Sequence, residues 1–177
     1  MHDNQLGVMT NSPPFDWHTT NLRNYLNLSV NNLPALTLNG SSQPVTLKPI
    51  GQGTGMLGLP GDLMPPSRFV RAVAYTQSIL PELIQSGHDT VLQAFHILNS
   101  FDIPKGLARD DMTADGQILA DYTLWTSAND LKAKKFYFRT YENSQIRVVD
   151  LMKMDLTADS IATISMYDEK EVIRSMT

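Results

Sequence analysis

Ser67 and Thr10 are the hydroxyls to ask first whether this chain could carry a nucleophile, and neither has the setting that activates one. Acyl transfer by serine needs a base to take the hydroxyl proton and a third group to orient that base. Hydrolases with a nucleophile elbow also place the serine on a sharp Gly-x-Ser-x-Gly turn. No such elbow surrounds Ser67, and no His/Asp pair is positioned by spacing to serve either hydroxyl. Thiol chemistry is missing altogether, because the 177 residues hold no cysteine; disulfides and thiolate zinc sites go with it.

The remaining chemistry-bearing groups favour plain structural roles. His2, His18, His88 and His96 show no i, i+4 pairing that would put two ligands on one helical face, so each reads as a surface or satisfied core histidine. Asp110, Asp111 and Asp115 lack the calcium-loop pattern and read as a solvated turn. The stretch from Gly51 to Gly61 is glycine-rich but has no Lys-Ser/Thr to close a phosphate loop and no clear strand before it, so a tight structural loop is expected. No metal or cofactor is implied by any of these groups.

The elements that must position such groups come from periodicity. Gln5 to Thr10 suits a short buried strand that ends at Asn11, before the turn at Ser12-Pro13-Pro14. Asp16 can cap a helix over Trp17 to Leu28. Asn31 to Gly61 is broken by Asn, Gly, Pro and Ser, with a short strand near Val45 to Leu47 at most. Pro65-Pro66 leads into a helix over Ser67 to Leu80, and Asp89 caps another over Thr90 to Phe101. The period then changes to two: Ile118 to Thr126, Lys135 to Tyr141 and Gln145 to Leu151 read as three antiparallel strands, with turns at Ser127 to Asp130 and Glu142 to Ser144. The order is that of an α+β domain with helices on one face of an antiparallel sheet.

Composition sets the outer limits. With 42% hydrophobic and 18% charged residues the chain reads as one globular domain, 1–177. A net charge of −4 with scattered Lys and Arg argues against a nucleic-acid surface, and the run Lys132, Lys134, Lys135 reads as a solvated turn. No apolar run is long enough to span a bilayer, and the start MHDNQLGV has no secretory pattern; localisation stays open.

Three ordered motifs carry a resemblance beyond this. Gly7-Val8-Met9-Thr10-Asn11-Ser12-Pro13-Pro14-Phe15 stands before Asn21-Leu22-Arg23-Asn24-Tyr25. Gly58-Leu59-Pro60-Gly61-Asp62 precedes Ser67-Arg68-Phe69-Val70-Arg71-Ala72. Phe138-Arg139-Thr140-Tyr141 precedes Asn143-Ser144-Gln145-Ile146. Together they cover nearly the whole chain, which resembles the C-terminal portion of the choloylglycine hydrolase family, the bile salt hydrolases and penicillin V acylases. Gln5, where proline is frequent, is a small departure.

The resemblance implies a partial N-terminal nucleophile hydrolase fold, an αββα sandwich of antiparallel sheets and packed helices. It also implies hydrolysis of a linear, non-peptide amide. In that family a leading cysteine supplies the thiolate and its free α-amine the base; this chain opens Met1-His2 instead. Asn11 matches the asparagine that helps stabilise the oxyanion, and Arg68 the arginine that approaches the nucleophile, with a helix-terminal salt bridge as the alternative for Arg68. The expectation is a truncated amidase, inert alone, with a small-molecule acyl amide as substrate of the full-length form. The rival is a non-catalytic acyl-binding chain or complementation partner of a separately encoded N-terminal half. Uncovered sheet edges predict association with that half or with copies of itself. The choice among bile salts, penicillin V and acyl-homoserine lactones is not legible.

Overall fold

Proline is tolerated in the first turn of a helix, where the N–H it lacks would have no intrahelical partner. In the computed structural model, which describes residues 3–167 and 170–176, Pro65-Pro66 opens the helix that organises the first half of the chain. Packing divides the protein into two compact units, Met1–Pro81 and Glu82–Thr177.

The first unit contains α1 (Phe15–Leu22), which runs on as a 3-10 turn over Arg23–Tyr25, then a hairpin of β1 (Leu36–Asn39) and β2 (Pro44–Leu47), then α2 (Pro65–Gln77). Its core is Val8, Phe69 and Val73, with Leu6, Phe15, Leu22 and Ala72 packed around them. Residues 5–10 form no strand, contrary to the sequence expectation. A strand needs a neighbour for its N–H and C=O groups, and β1 pairs with β2 instead. The segment turns at Gly7, with φ of 65°, and the Asn4 side-chain amide donates to the Val8 carbonyl at 3.1 Å. Asp16 is not the cap of α1: that place falls to Pro14, and Asp16 lies in the first turn, where its charge faces the helix dipole.

The glycine-rich segment is a hydrogen-bonded loop. The Asn32 side-chain oxygen accepts from the backbone N–H of Gly53 at 2.7 Å and of Thr54 at 3.2 Å. Ser29 donates its N–H to the buried Gly55 carbonyl at 2.9 Å.

In the second unit α3 (Gly87–Asn99) packs against the three-stranded antiparallel sheet β5 (Trp125–Asp130), β6 (Lys135–Thr140) and β7 (Asn143–Asp150). A two-stranded pair, β3 (Ala108–Arg109) and β4 (Ala120–Asp121), precedes it. Ser86, not Asp89, is the N-cap of α3: it accepts from the Asp89 N–H at 3.1 Å, and the Asp89 carboxylate accepts from Gln85 N–H at 3.2 Å. The expected strand from Ile118 to Thr126 is interrupted, and Ser127 to Asp130, expected as a turn, lies inside β5. The chain reverses after Asp130, where the Asp130 carboxylate accepts from Ala133 N–H at 2.8 Å and Lys134 takes φ of 54°. The second reversal is a two-residue turn at Tyr141-Glu142, between the paired Thr140 and Asn143.

Candidate active site

Thr10-Asn11 leads into α1 and Arg68 belongs to the first turns of α2, so the fold of the first unit decides whether these residues meet. They do. Arg68 Nη2 donates to Asn11 Oδ1 at 2.6 Å. Arg68 Nε donates to the Leu63 carbonyl at 3.1 Å, which holds the guanidinium against the loop before its own helix. Among the described residues Arg68 makes no ion pair.

A guanidinium can only donate, so the contact orients the asparagine. Its oxygen is turned to Arg68 and its NH₂ is left to point elsewhere. Asn11 Nδ2 makes no hydrogen bond among the described residues, and the residue is exposed. The pair therefore offers an unengaged N–H donor beside a permanent cation, an arrangement suited to an oxygen that gains negative charge.

The approach to α2 is braced by residues the sequence did not single out for this purpose. Asp62 accepts from Met64 N–H at 2.9 Å and from the Ser67 hydroxyl at 2.6 Å. The Ser67 hydroxyl, then the Met64 N–H, hold the Asp62 carboxyl below its ordinary value. Arg71, 5% exposed, donates through Nη1 to the carbonyls of Pro60 at 2.9 Å and Asp62 at 2.7 Å. The signal for this brace was present as an aspartate five residues before a serine across Pro65-Pro66, a side-chain turn of the kind that precedes helices.

The other candidates fare differently. Ser67 is buried with its hydroxyl given to Asp62. Thr10, which spacing left without a base, lies 3.0 Å from His18 Nε2. His18 is 1% exposed and stacks on Phe69 with ring centroids 4.6 Å apart, and its Nδ1 has no hydrogen-bond partner among the described residues. Among the described residues no carboxylate orients the imidazole, so the Thr10–His18 contact lacks the third member of a triad there. His88, His96, Asp110, Asp111 and Asp115 are exposed, and His2 lies outside the described residues. Among the described residues no three His, Asp or Glu gather as metal ligands, and no helix is long and apolar enough to cross a membrane. A cavity of about 440 Å³ in the first unit, lined by Leu22, Tyr25, Met56, Val70 and Val73, includes neither Asn11 nor Arg68.

Comparison with known proteins gives a consistent answer. The family described as "Linear amide C-N hydrolases, choloylglycine hydrolase family" matches residues 1–170. A bile salt hydrolase/transferase of Clostridium perfringens is 40% identical over 163 residues, which are 91% of this chain and 46% of that protein. One from Lactiplantibacillus plantarum is 39% identical over 171 residues, 97% of this chain and 49% of that protein. The crystal structure of a mutant conjugated bile acid hydrolase from Clostridium perfringens superposes with a TM-score of 0.77 at 37% identity, covering 99% of this chain and 50% of that one. Penicillin V acylase from Agrobacterium tumefaciens, at a TM-score of 0.60 and 23% identity, shares the fold. The chain thus spans about half the length of the curated relatives it matches.

Proposed function

Because this chain belongs to the choloylglycine hydrolase family of linear amide C–N hydrolases, we propose that Asn11 and Arg68 form the oxyanion side of an amide hydrolase site of the bile salt hydrolase and penicillin V acylase type. The observation that carries this reading is the Arg68 to Asn11 hydrogen bond, which leaves the asparagine NH₂ free to donate. A thiolate adds to the amide carbonyl, and the oxygen that gains charge accepts from Asn11 Nδ2 while the Arg68 cation favours both thiolate and oxyanion. The C–N bond breaks, the amine departs with the proton that the thiol gave up, and water hydrolyses the thioester to the acid and regenerates the thiol.

The 177 residues contain no cysteine, so the thiolate has to come from outside them, and these residues by themselves are inert. The purified chain, offered conjugated bile salts and penicillin V, is expected to hydrolyse neither. A cysteine-led N-terminal half of a relative, added in trans, is expected to give turnover that Asn11→Ala removes. Hydrolysis by the chain alone, abolished by Asn11→Ala, would overturn the inertness. Turnover in trans that is indifferent to Asn11→Ala would overturn the assignment of the site.

The rival reading, a partner for a separately encoded half, draws on the second unit. There β5 and β7 are the outer strands of their sheet, and Trp125, Val148 and Leu151 stand 50%, 52% and 40% exposed. Such edges and apolar side chains favour association. Light scattering of the chain alone is expected to find oligomers, and a monodisperse monomer would count against association through these edges.

A further inference from the structure

Asn11 lies in no helix or strand, so its place opposite Arg68 is set by whatever holds the residues on either side. One side chain reaches the sequence neighbour of each member of the pair. His18, on the buried face of α1, puts Nε2 3.0 Å from the hydroxyl of Thr10, the residue before Asn11. The same ring stacks at 4.6 Å, with 10° between the planes, on Phe69, the residue after Arg68.

We propose that His18 is a positioning residue for the site: it clamps Thr10 to Phe69 and thereby holds the Asn11 amide against the Arg68 guanidinium. The proposal rests on the reading of Asn11 and Arg68 as site residues given above.

Burial of this imidazole is otherwise hard to justify. The ring is 1% exposed and its Nδ1 has no hydrogen-bond partner among the described residues. A buried polar atom without a partner costs free energy that a leucine of similar size would avoid. What the imidazole adds is a polar edge for Thr10 and a flat face for Phe69. Which of Thr10 and His18 donates depends on the ring tautomer; either serves the clamp. With the ring closed to solvent and, among the described residues, no carboxylate on Nδ1, His18 does not reach substrate, which separates a positioning role from a catalytic one.

The test reads the Asn11 side-chain amide directly, by its ¹H–¹⁵N signals in the 177-residue chain, and needs no turnover. The Asn11 NH₂ pair is identified by its loss in Asn11→Ala, and Arg68→Ala is expected to move it. His18→Leu and Thr10→Val are each expected to move it towards the Arg68→Ala position, and His18→Gln, which keeps a polar group near Nε2, is expected to hold it near the wild-type position. Thr10→Val severs the hydrogen bond and leaves the ring stack in place, so it decides the question should His18→Leu fail to fold. A wild-type Asn11 signal in folded Thr10→Val, with Arg68→Ala shifted, overturns the positioning role alone. An Asn11 signal unmoved in Arg68→Ala overturns the pairing itself, and the proposal with it.

Discussion

The Ser67 hydroxyl donates to the Asp62 carboxylate at 2.6 Å, one residue ahead of Arg68, so the side chain that braces the start of α2 also sets where the guanidinium begins. Asp62 is joined to the same helix by Met64 N–H through its side chain and by Arg71 through its carbonyl. The loop Pro60 to Asp62 and the first turns of α2 thus behave as one piece, and Arg68 projects from it towards Asn11.

Acid should loosen that piece. Its hydrogen bonds hold the Asp62 carboxyl below the ordinary aspartate value of 3.8, so its stabilising contribution is complete above about that pH and is lost as pH falls through the lower, folded value. Asp62→Ala is expected to cost about 1 kcal/mol or less, since an exposed carboxylate is screened by water. Thermal unfolding of wild type and variant across a series of pH values checks this: the difference in Tm should be full at neutral pH and shrink as pH falls below the ordinary aspartate value of 3.8.

In an enzyme reconstituted with a cysteine-bearing half, Asn11→Ala is expected to lower kcat about 10²- to 10³-fold, the usual cost of one oxyanion donor. Arg68→Lys keeps the charge but offers a point donor in place of a planar fork. It should therefore also depress kcat, while Arg23→Lys, on the 3-10 turn after α1, should not. Steady-state kinetics on a conjugated bile salt distinguish the three.

Gly55 has no room for a side chain. A Cβ built there would collide with the backbone carbonyl oxygens of Ser29 and Asn31, which cannot yield as a flexible side chain could. Gly55→Ala is expected to destabilise the first unit by about 1–3 kcal/mol, the typical cost of overpacking. Denaturant unfolding followed by Trp17 fluorescence in a Trp125→Phe background would detect it as a lower midpoint with an unchanged slope.

The cap of α3 gives a prediction for the second unit. Ser86→Ala removes the acceptor for Asp89 N–H and is expected to cost about 1 kcal/mol. Ser86→Asp, which can accept the same bond and adds charge at the positive end of the helix, is expected to match or exceed wild type. Thermal melts of the three proteins decide the order.

Much of this protein was legible from residue order alone, where the responsible forces are local. Pro65-Pro66 and the apolar spacing of Phe69, Val70 and Val73 located α2, and Val91 to Leu98 located α3, to within two or three residues. The alternation from Lys135 to Leu151 located β6 and β7. The absence of cysteine is purely a property of the sequence and already separates these 177 residues from thiol catalysis. Asn11 and Arg68 were named by resemblance, since an asparagine and an arginine 57 positions apart carry no periodic signal.

What only the tertiary structure decided was pairing. Residues 5–10 look like a strand, but strandness depends on a neighbour, and within the first unit β1 and β2 take each other. Ser127 to Asp130 look like a turn, yet their pairing with Lys135 to Phe138 makes them strand and moves the reversal to where the Asp130 carboxylate can hold it. His18 was one of four unremarkable histidines until the fold set it between Thr10 and Phe69. Helix starts and apolar stripes are written within a few residues of each other; the partner of a strand, a guanidinium or an imidazole is chosen across the chain, and there spacing alone is silent.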